Sequence, residues 1–314
     1  MKKNKLGRTD LTVTQLGLGC GGHSALGLKN NKTEENALKV IQKALELGIN
    51  YIDTAERYVT EQTVGKALAK STKDELILST KFAIKKKGIL RTGYAINNVL
   101  EKSLKNLNRE TIDIYYAHAV NIRDYDYVCQ EIYPVLEKAK KMGKIQYIGI
   151  TEAFGDTTHK TLTKAAEDNI WDVLMVGFNF LNQTARAKVL SKAIQNNIGI
   201  VCMFAVRKAL INPENIRPVL DKLIADGQIN ASDIDQQNPL AFIQGKNKSY
   251  VDAAYRFCRD EPGIHNVLSG TGSISHLEEN VISMQKPPLP EDITLKLQKI
   301  FQFVDSAAGN LLKK

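Results

Sequence analysis

Residues 50–58 read NYIDTAERY, an apolar run that closes on Asp53 and is followed by Tyr58. The run is short and apolar at nearly every position, as a strand buried on both faces is. Two later stretches have the same form: LILSTKF (76–82) ends on Lys81, and IDIYYAH (112–118) ends on His118. When parallel strands close into a (β/α)8 barrel, the strand ends and the loops after them form the catalytic face. Such a fold would bring an acid, a phenol, an amine and an imidazole together. That set suits proton transfer to or from a carbonyl oxygen.

Outward from these runs, strand-like and helix-like stretches alternate along the whole chain. The strand candidates are 13–20, 49–55, 75–81, 111–118, 145–151, 172–179, 199–206 and 265–270. Helical periodicity lies between them. In 34–47, Ala37, Leu38, Val40, Ile41, Ala44, Leu45 and Leu47 share one face while Lys39, Gln42, Lys43 and Glu46 share the other. Thr33 is a suitable N-cap, with Glu34 and Glu35 at the positive helix start. Similar faces mark 93–107, 128–141 and 184–195, and short helices fit 61–70, 156–167, 250–260 and 274–283. Eight βα units in sequence predict an α/β fold, a (β/α)8 TIM barrel, with an open doubly wound sheet as the alternative. The segment before the first strand reads as a β-hairpin with Arg8, Thr9 and Asp10 at its turn, placed to plug the barrel bottom. Residues 291–306 read as a C-terminal helix. The stretch 207–249 is long for a βα loop, and its apolar spacing hints at an internal helix. No linker or repeat divides residues 1–314, which read as a single domain.

The chain has 314 residues with 43% hydrophobic and 25% charged, ordinary values for a globular protein. No apolar stretch approaches the roughly 20 residues of a membrane span, and no signal-peptide core follows the basic N-terminus. Cys20, Cys129, Cys202 and Cys258 form no paired motif, which points to a reducing cytoplasm and against a metal site. The formal charge of +9 favours anionic partners, a phosphate-bearing cofactor among them. It is spread along the chain without an aromatic-interleaved basic stripe, so nucleic acid is not an expected partner.

KLGRTDLTVTQLGLGCGG (5–22), IDTAERY (52–58), STK (79–81), YYAH (115–118), GKIQYIGIT (143–151) and LSGTGSISHLEEN (268–280) together resemble the aldo-keto reductase family along nearly the whole chain. The resemblance implies a nicotinamide-dependent oxidoreductase that reduces aldehydes or ketones, with a catalytic tetrad at Asp53, Tyr58, Lys81 and His118. The chemistry agrees. A free tyrosine has a pKa of about 10 and is a poor acid at neutral pH, but a close ammonium stabilises its phenolate. Lys81 would be that ammonium, Asp53 would hold it charged, Tyr58 would be the proton donor, and His118 would orient the carbonyl. The substrate would be a small carbonyl compound, and the protein a monomer or small homo-oligomer.

The resemblance also implies cofactor contacts. Gly19 lies near the end of the first strand. Thr151 and Glu152 follow the fifth strand, where the family presents polar groups to the nicotinamide amide. Phe204, near the end of the seventh, would stack on the ring. Backbone amides of Gly270, Thr271 and Gly272 would cradle phosphate, and Glu279 and Asn280 would meet the adenine. The pattern departs in three places. No lysine or arginine occurs from Ser269 to Asn280, and His276 stands where a basic residue is common. A 2′-phosphate would then lose a charge-assisted hydrogen bond of roughly 1.5–3 kcal/mol, unless Arg207 and Lys208 compensate. NADP(H) stays ahead of NAD(H) on the resemblance alone, with dual use open. Met175 replaces a glutamine that binds the amide, and Val59 replaces a glycine after Tyr58.

Lys85, Lys86 and Lys87 read as a solvated loop on the catalytic face. His23, Tyr125, Tyr127 and the 207–249 loop are candidates to line a substrate pocket, while Trp171 is expected on the opposite face. Two other functions remain open. One is an NAD-dependent sugar or polyol dehydrogenase. The other is a cofactor-sensing regulatory subunit with little turnover, resembling the potassium-channel β-subunits of this fold.

Overall fold

A computed structural model of the chain describes residues 1–69, 75–153, 155–235, 237–243 and 249–311. Eight strands close into a parallel barrel in sequential order: β1 (Leu16–Gly19), β2 (Tyr51–Asp53), β3 (Ile77–Ala83), β4 (Ile112–Val120), β5 (Ile145–Glu152), β6 (Val173–Gly177), β7 (Gly199–Met203) and β8 (Asn266–Ser269). The ring shuts where Val267, Leu268 and Ser269 of β8 pair with Leu16, Gly17 and Leu18 of β1. Each strand overlaps one of the eight apolar runs.

Helices α1 (Glu34–Glu46), α2 (Glu61–Leu68), α3 (Gly93–Leu107), α4 (Tyr133–Lys141), α5 (Lys160–Asp168), α6 (Ser191–Gln195), α7 (Tyr250–Arg259) and α8 (Ile274–Gln285) follow the strands in turn, and α9 (Glu291–Phe301) ends the fold. The Thr33 side chain accepts from Asn36 N and caps α1, as its sequence predicts, while Ala37, Val40, Ile41, Ala44 and Leu45 are buried. Thr92 caps α3 in the same way.

Four helices depart from their sequence patterns, the C-terminal one because it ends at Phe301 and not at 306. The 128–141 pattern divides into a wide turn, Val128–Ile132, and α4. Pro134 has no N–H to donate, so the regular ladder cannot pass through it. The 184–195 pattern divides likewise into Arg186–Leu190 and α6. The 156–167 pattern starts late because the Asp156 carboxylate takes up the Thr158 and Thr161 amides. The long connection after β7 holds a helix, Pro213–Ala225, with short turns at Ala231–Asp233 and Ala241–Ile243. Residues 236 and 244–248 of that connection, and residue 70 at the end of the 61–70 pattern, lie outside the described residues.

The hairpin pairs Lys3–Lys5 with Thr12–Thr14. Its turn docks on the loops that enter the strands: Arg8 N donates to Asn197 O (2.6 Å), and the Arg8 guanidinium donates to Asn169 Oδ1 (2.6 Å) and Trp171 O (2.5 Å). Leu6 and Val13 are fully buried and join Tyr51, Ile77, Ile114, Tyr116, Val173, Met175 and Val201 in an apolar cluster inside the barrel. A second, larger cluster lies between the barrel and its helices. The inner cluster fixes the polarity of the barrel. Side chains alternate in and out along a strand, so Tyr51 leads inward to Asp53, Ile77 to Ser79 and Lys81, and Ile114 to Tyr116 and His118. The floor is apolar and the rim is polar.

Leu6→Ala is expected to lower the unfolding free energy by about 2–5 kcal/mol, the range for emptying a buried leucine site, in denaturant titration. A loss below about 0.5 kcal/mol, as at an exposed site, would mean that the hairpin does not plug the barrel.

Candidate active site

Asp53 ends β2, Lys81 lies near the end of β3 and His118 near the end of β4, on adjacent strands of the barrel. Lys81 and Asp53 are almost wholly buried, and Lys81 Nζ donates to Asp53 Oδ2 at 2.5 Å and to Thr54 O at 2.9 Å. Ser79 Oγ donates to the other carboxylate oxygen, Asp53 Oδ1, at 2.7 Å. Ser79 shares the inward face of β3 with Lys81, and the period-two alternation could have identified it. Beneath them the Tyr51 and Tyr116 hydroxyls meet at 3.0 Å. Gly149 is required there, because a Cβ on it would overlap the Tyr116 ring.

Tyr58 comes from outside the strands, on the short turn Glu56–Tyr58 after β2. The turn is fastened at several points. Glu56 accepts two hydrogen bonds from Arg91 (2.7 Å each) and one from Ala83 N (3.1 Å). Thr54 and Thr60 share a hydroxyl hydrogen bond of 2.8 Å. The turn ends at Val59 in the left-handed region, with φ +63°. A β-branched residue is strained there, and Val59 is 85% exposed, so packing does not compensate. The Tyr58 ring lies against Gly21, where any Cβ would collide with it. Lys81 Nζ stands 5.1 Å from the ring centroid, and the His118 ring meets Tyr58 edge-on at 5.6 Å and 89°. The four residues singled out in the sequence therefore converge.

Burial works against the Lys81 ammonium, but Asp53 and Tyr58 more than offset it, and the amine is held above the usual lysine value. Burial pushes the Tyr58 phenol up. Lys81 acts the other way without prevailing, so Tyr58 carries its proton at neutral pH. Burial, Lys81 and Arg57 lower His118 to about 3, which keeps it neutral. Its Nδ1 is buried with no partner among the described residues.

The remaining expected contacts spread over the same end of the barrel. Glu152 is buried at the end of β5, with Oε1 2.6 Å from His159 Nδ1. Thr151 Oγ1 accepts from Ala119 N and so serves the barrel wall. Phe204 has φ +70°, its ring lies on Gly177, and the Arg207 guanidinium stacks over it at 4.0 Å. Burial lowers Arg207 to about 10. Gly19 lies beside Asp53 in the sheet, and Gly270 and Thr271 follow β8. Gly272 packs on the backbone of Gly27, and its carbonyl accepts from Lys32 Nζ (2.8 Å) and Asn36 Nδ2 (3.1 Å). His276 and Glu279 are exposed on α8, whereas Asn280 is buried and donates to Ser269 Oγ (2.9 Å). Glu279 and Asn280 thus part company across the helix.

His23 stays at the mouth near Lys208 and Arg207. Tyr125 does not line a pocket: it is fully buried and its hydroxyl accepts from Trp171 Nε1 (3.0 Å). Tyr127 donates to Arg91 O (3.1 Å). Lys85 is bound to Asp124 at 2.8 and 2.7 Å, while Lys86 and Lys87 are exposed. Among the described residues no group of three or more His, Cys, Asp or Glu could hold a metal, and no helix is long and apolar enough to cross a membrane.

Val59→Gly is expected to raise stability by about 1 kcal/mol by relieving the left-handed strain, seen as a higher Tm. An unchanged Tm would mean that the turn is relaxed. His118 has a second consequence. Its folded value lies below the unfolded 6.5, so its neutral form adds stability above that value that is lost as pH falls towards 3. Removing the imidazole in His118→Gln should flatten that part of the stability–pH curve. An identical slope in the variant would contradict the burial of His118.

The family model for the aldo/keto reductase family matches residues 16–301. The chain is 26% identical over 309 residues to the uncharacterized oxidoreductase YqkF of Bacillus subtilis, covering 95% of this chain and 96% of that protein. It is 25% identical over 288 residues to L-galactose dehydrogenase of Arabidopsis thaliana, covering 89% and 86%. Among solved structures it resembles the holo form of aldo-keto reductase AKR11C1 from Bacillus halodurans, with a TM-score of 0.73 at 24% identity and 96% of each chain covered. With its closed barrel, its converging tetrad and a model match from the first barrel strand through the last helix, the chain belongs to the aldo/keto reductase family.

Proposed function

We propose that the protein is a nicotinamide-dependent oxidoreductase acting on the carbonyl group of small aldehydes or ketones, with Tyr58 as proton donor. The observation that carries this reading is the buried Lys81–Asp53 pair beside the Tyr58 ring. The nicotinamide, when bound, would supply the hydride. Tyr58 would pass its phenolic proton to the carbonyl oxygen. Burial keeps that proton in place beforehand, and the Lys81 ammonium stabilises the phenolate left behind. Asp53 and the Thr54 carbonyl hold the amine in position, and neutral His118 orients the carbonyl oxygen.

The residues present fit such a cofactor. Beside Gly177 and Phe204 the buried Glu152 carboxylate and His159 ring offer hydrogen-bonding groups, and the 270–272 turn is tied to the α1 side through Gly272. NADP(H) is the favoured cofactor. Lys32 brings to Gly272 a positive charge that the segment from Ser269 to Asn280 lacks. That lack supports a second reading, an NAD-dependent dehydrogenase acting on a sugar or polyol, and the likeness to a protein named L-galactose dehydrogenase favours it as well.

The test is consumption of NADPH and of NADH with an activated aromatic aldehyde, by wild type and Tyr58→Phe. Loss of the proton donor should lower turnover by about 10²–10⁴-fold, with NADPH the better cofactor. Full activity in the variant would remove Tyr58 from its role, and NADH at least as efficient as NADPH would favour the second reading.

A further inference from the structure

Arg57 is the chain neighbour of Tyr58, and the proton-transfer chemistry does not use it. It lies on the turn Glu56–Tyr58 and is exposed. Its guanidinium is tied at one point, where Nη2 donates to Lys85 O at 3.1 Å. Lys85 stands two residues beyond Ala83, which pairs with His118 across β3 and β4. It opens a short hairpin, Lys85–Lys86 against Ile89–Leu90, that Arg91 N closes by donating to Ile84 O at 2.9 Å. The anchor is therefore fixed, and it keeps the guanidinium on the side of the mouth where Tyr58 and His118 meet. Its charge reaches that far: burial, Lys81 and Arg57 together hold His118 neutral.

The carboxylates on this side are already engaged. Glu56 takes both arms of Arg91 and the Ala83 amide, and Asp124 takes Lys85. The field of Arg57 reaches Glu56, whose charge Arg91 balances. Among the described residues Arg57 itself makes no ion pair, and only Lys85 O accepts from it. One guanidinium is thus left over at the mouth, and Lys86 and Lys87 add exposed positive charge on the same hairpin. Its free N–H groups form a planar donor set that matches a carboxylate or a phosphate. The cofactor's phosphates are expected elsewhere, at the 270–272 turn after β8. In the ring, β1 and β2 stand between β8 and the strand β3 whose extension anchors Arg57.

We propose that Arg57 binds an anionic group of the substrate, a carboxylate or a phosphate, and so selects acidic carbonyl compounds over neutral ones of similar shape. The inference rests on the carbonyl-reducing reading above and names the substrate class for that site. A guanidinium already held by Lys85 O loses little freedom when it binds. With the anion at Arg57, the far end of a short carbon skeleton is directed to Tyr58 and His118.

The test is kcat/KM for matched pairs of aldehydes, with NADPH and with NADH. One pair is para-formylbenzoate and its methyl ester; the other is glycolaldehyde phosphate and glycolaldehyde. The first probes carboxylate and the second phosphate. Wild type, Arg57→Gln and Arg57→Lys are compared by the ratio within each pair, which cancels any general effect of a substitution on the neighbouring Tyr58. Wild type is expected to favour the anionic member of at least one pair by about tenfold or more, chiefly through a lower KM. In Arg57→Gln that ratio should fall by about tenfold, and Arg57→Lys, which keeps the charge, should restore part of it. A preference that survives intact in Arg57→Gln overturns the proposal. So does a wild type that turns over all four aldehydes without favouring either anion, a readout that needs no variant and leaves the carbonyl-reducing reading standing. No turnover of any of the four with either cofactor overturns that reading, and the proposal with it.

Discussion

A lysine and an aspartate out of contact with water organise this molecule. Taking two charges from solvent is expensive, and a buried pair persists only when its remaining hydrogen bonds are satisfied. Here Lys81 has the Asp53 carboxylate and the Thr54 carbonyl, and Asp53 has Ser79 as well. Each partner requires a strand in register with its neighbour: Asp53 pairs with Ser79 across β2 and β3, and Lys81 with Tyr116 across β3 and β4. A one-residue slip would turn these side chains out of the barrel. The charge pair and the barrel register are one constraint seen from two sides.

The rim around that pair is where the backbone is strained. Val59, Ala119, His159 and Phe204 all adopt positive φ: Ala119 and Phe204 at the ends of β4 and β7, Val59 and His159 in the loops that follow β2 and β5. Non-glycine residues hold such conformations only where the surroundings over-determine them. The restraints are visible for most of them. Thr151 takes the Ala119 amide, Glu152 holds His159, and Gly177 with Arg207 encloses Phe204. The apolar floor, with Leu6 and Val13 beneath it, supplies the rigidity against which the rim is held.

The barrel was legible in the amino-acid sequence because its strands are buried on both faces and read as unbroken apolar runs. α3 emerged residue for residue from its apolar face, of which Ile96, Leu100, Leu104 and Leu107 are buried. What escaped was local hydrogen-bond geometry: the wide turns before α4 and α6, and the delayed start of α5. The convergence of the four residues was legible because Asp53, Lys81 and His118 sit at or near strand ends and Tyr58 follows Asp53 in the same motif. The Glu152–His159 pair was not, because the place of His159 depends on a left-handed turn with no sequence period. Nor was the bond from Lys32 to Gly272, which spans 240 positions. Tyr125 misled, since a tyrosine after a strand looks the same whether it faces a pocket or, as here, Trp171.

The order of the strands around the barrel bears on how the protein is made. The ring closes only where β8 meets β1, so the first strand to leave the ribosome waits for the last before both its edges are paired. The loops that meet across that seam, with Gly19 and Gly21 on one side and Gly270 to Gly272 on the other, come from opposite ends of the chain. A nascent or prematurely ended polypeptide therefore exposes two apolar sheet edges, at β1 and at its last completed strand. It has the Asp53–Lys81 pair long before it has a shell to keep water away.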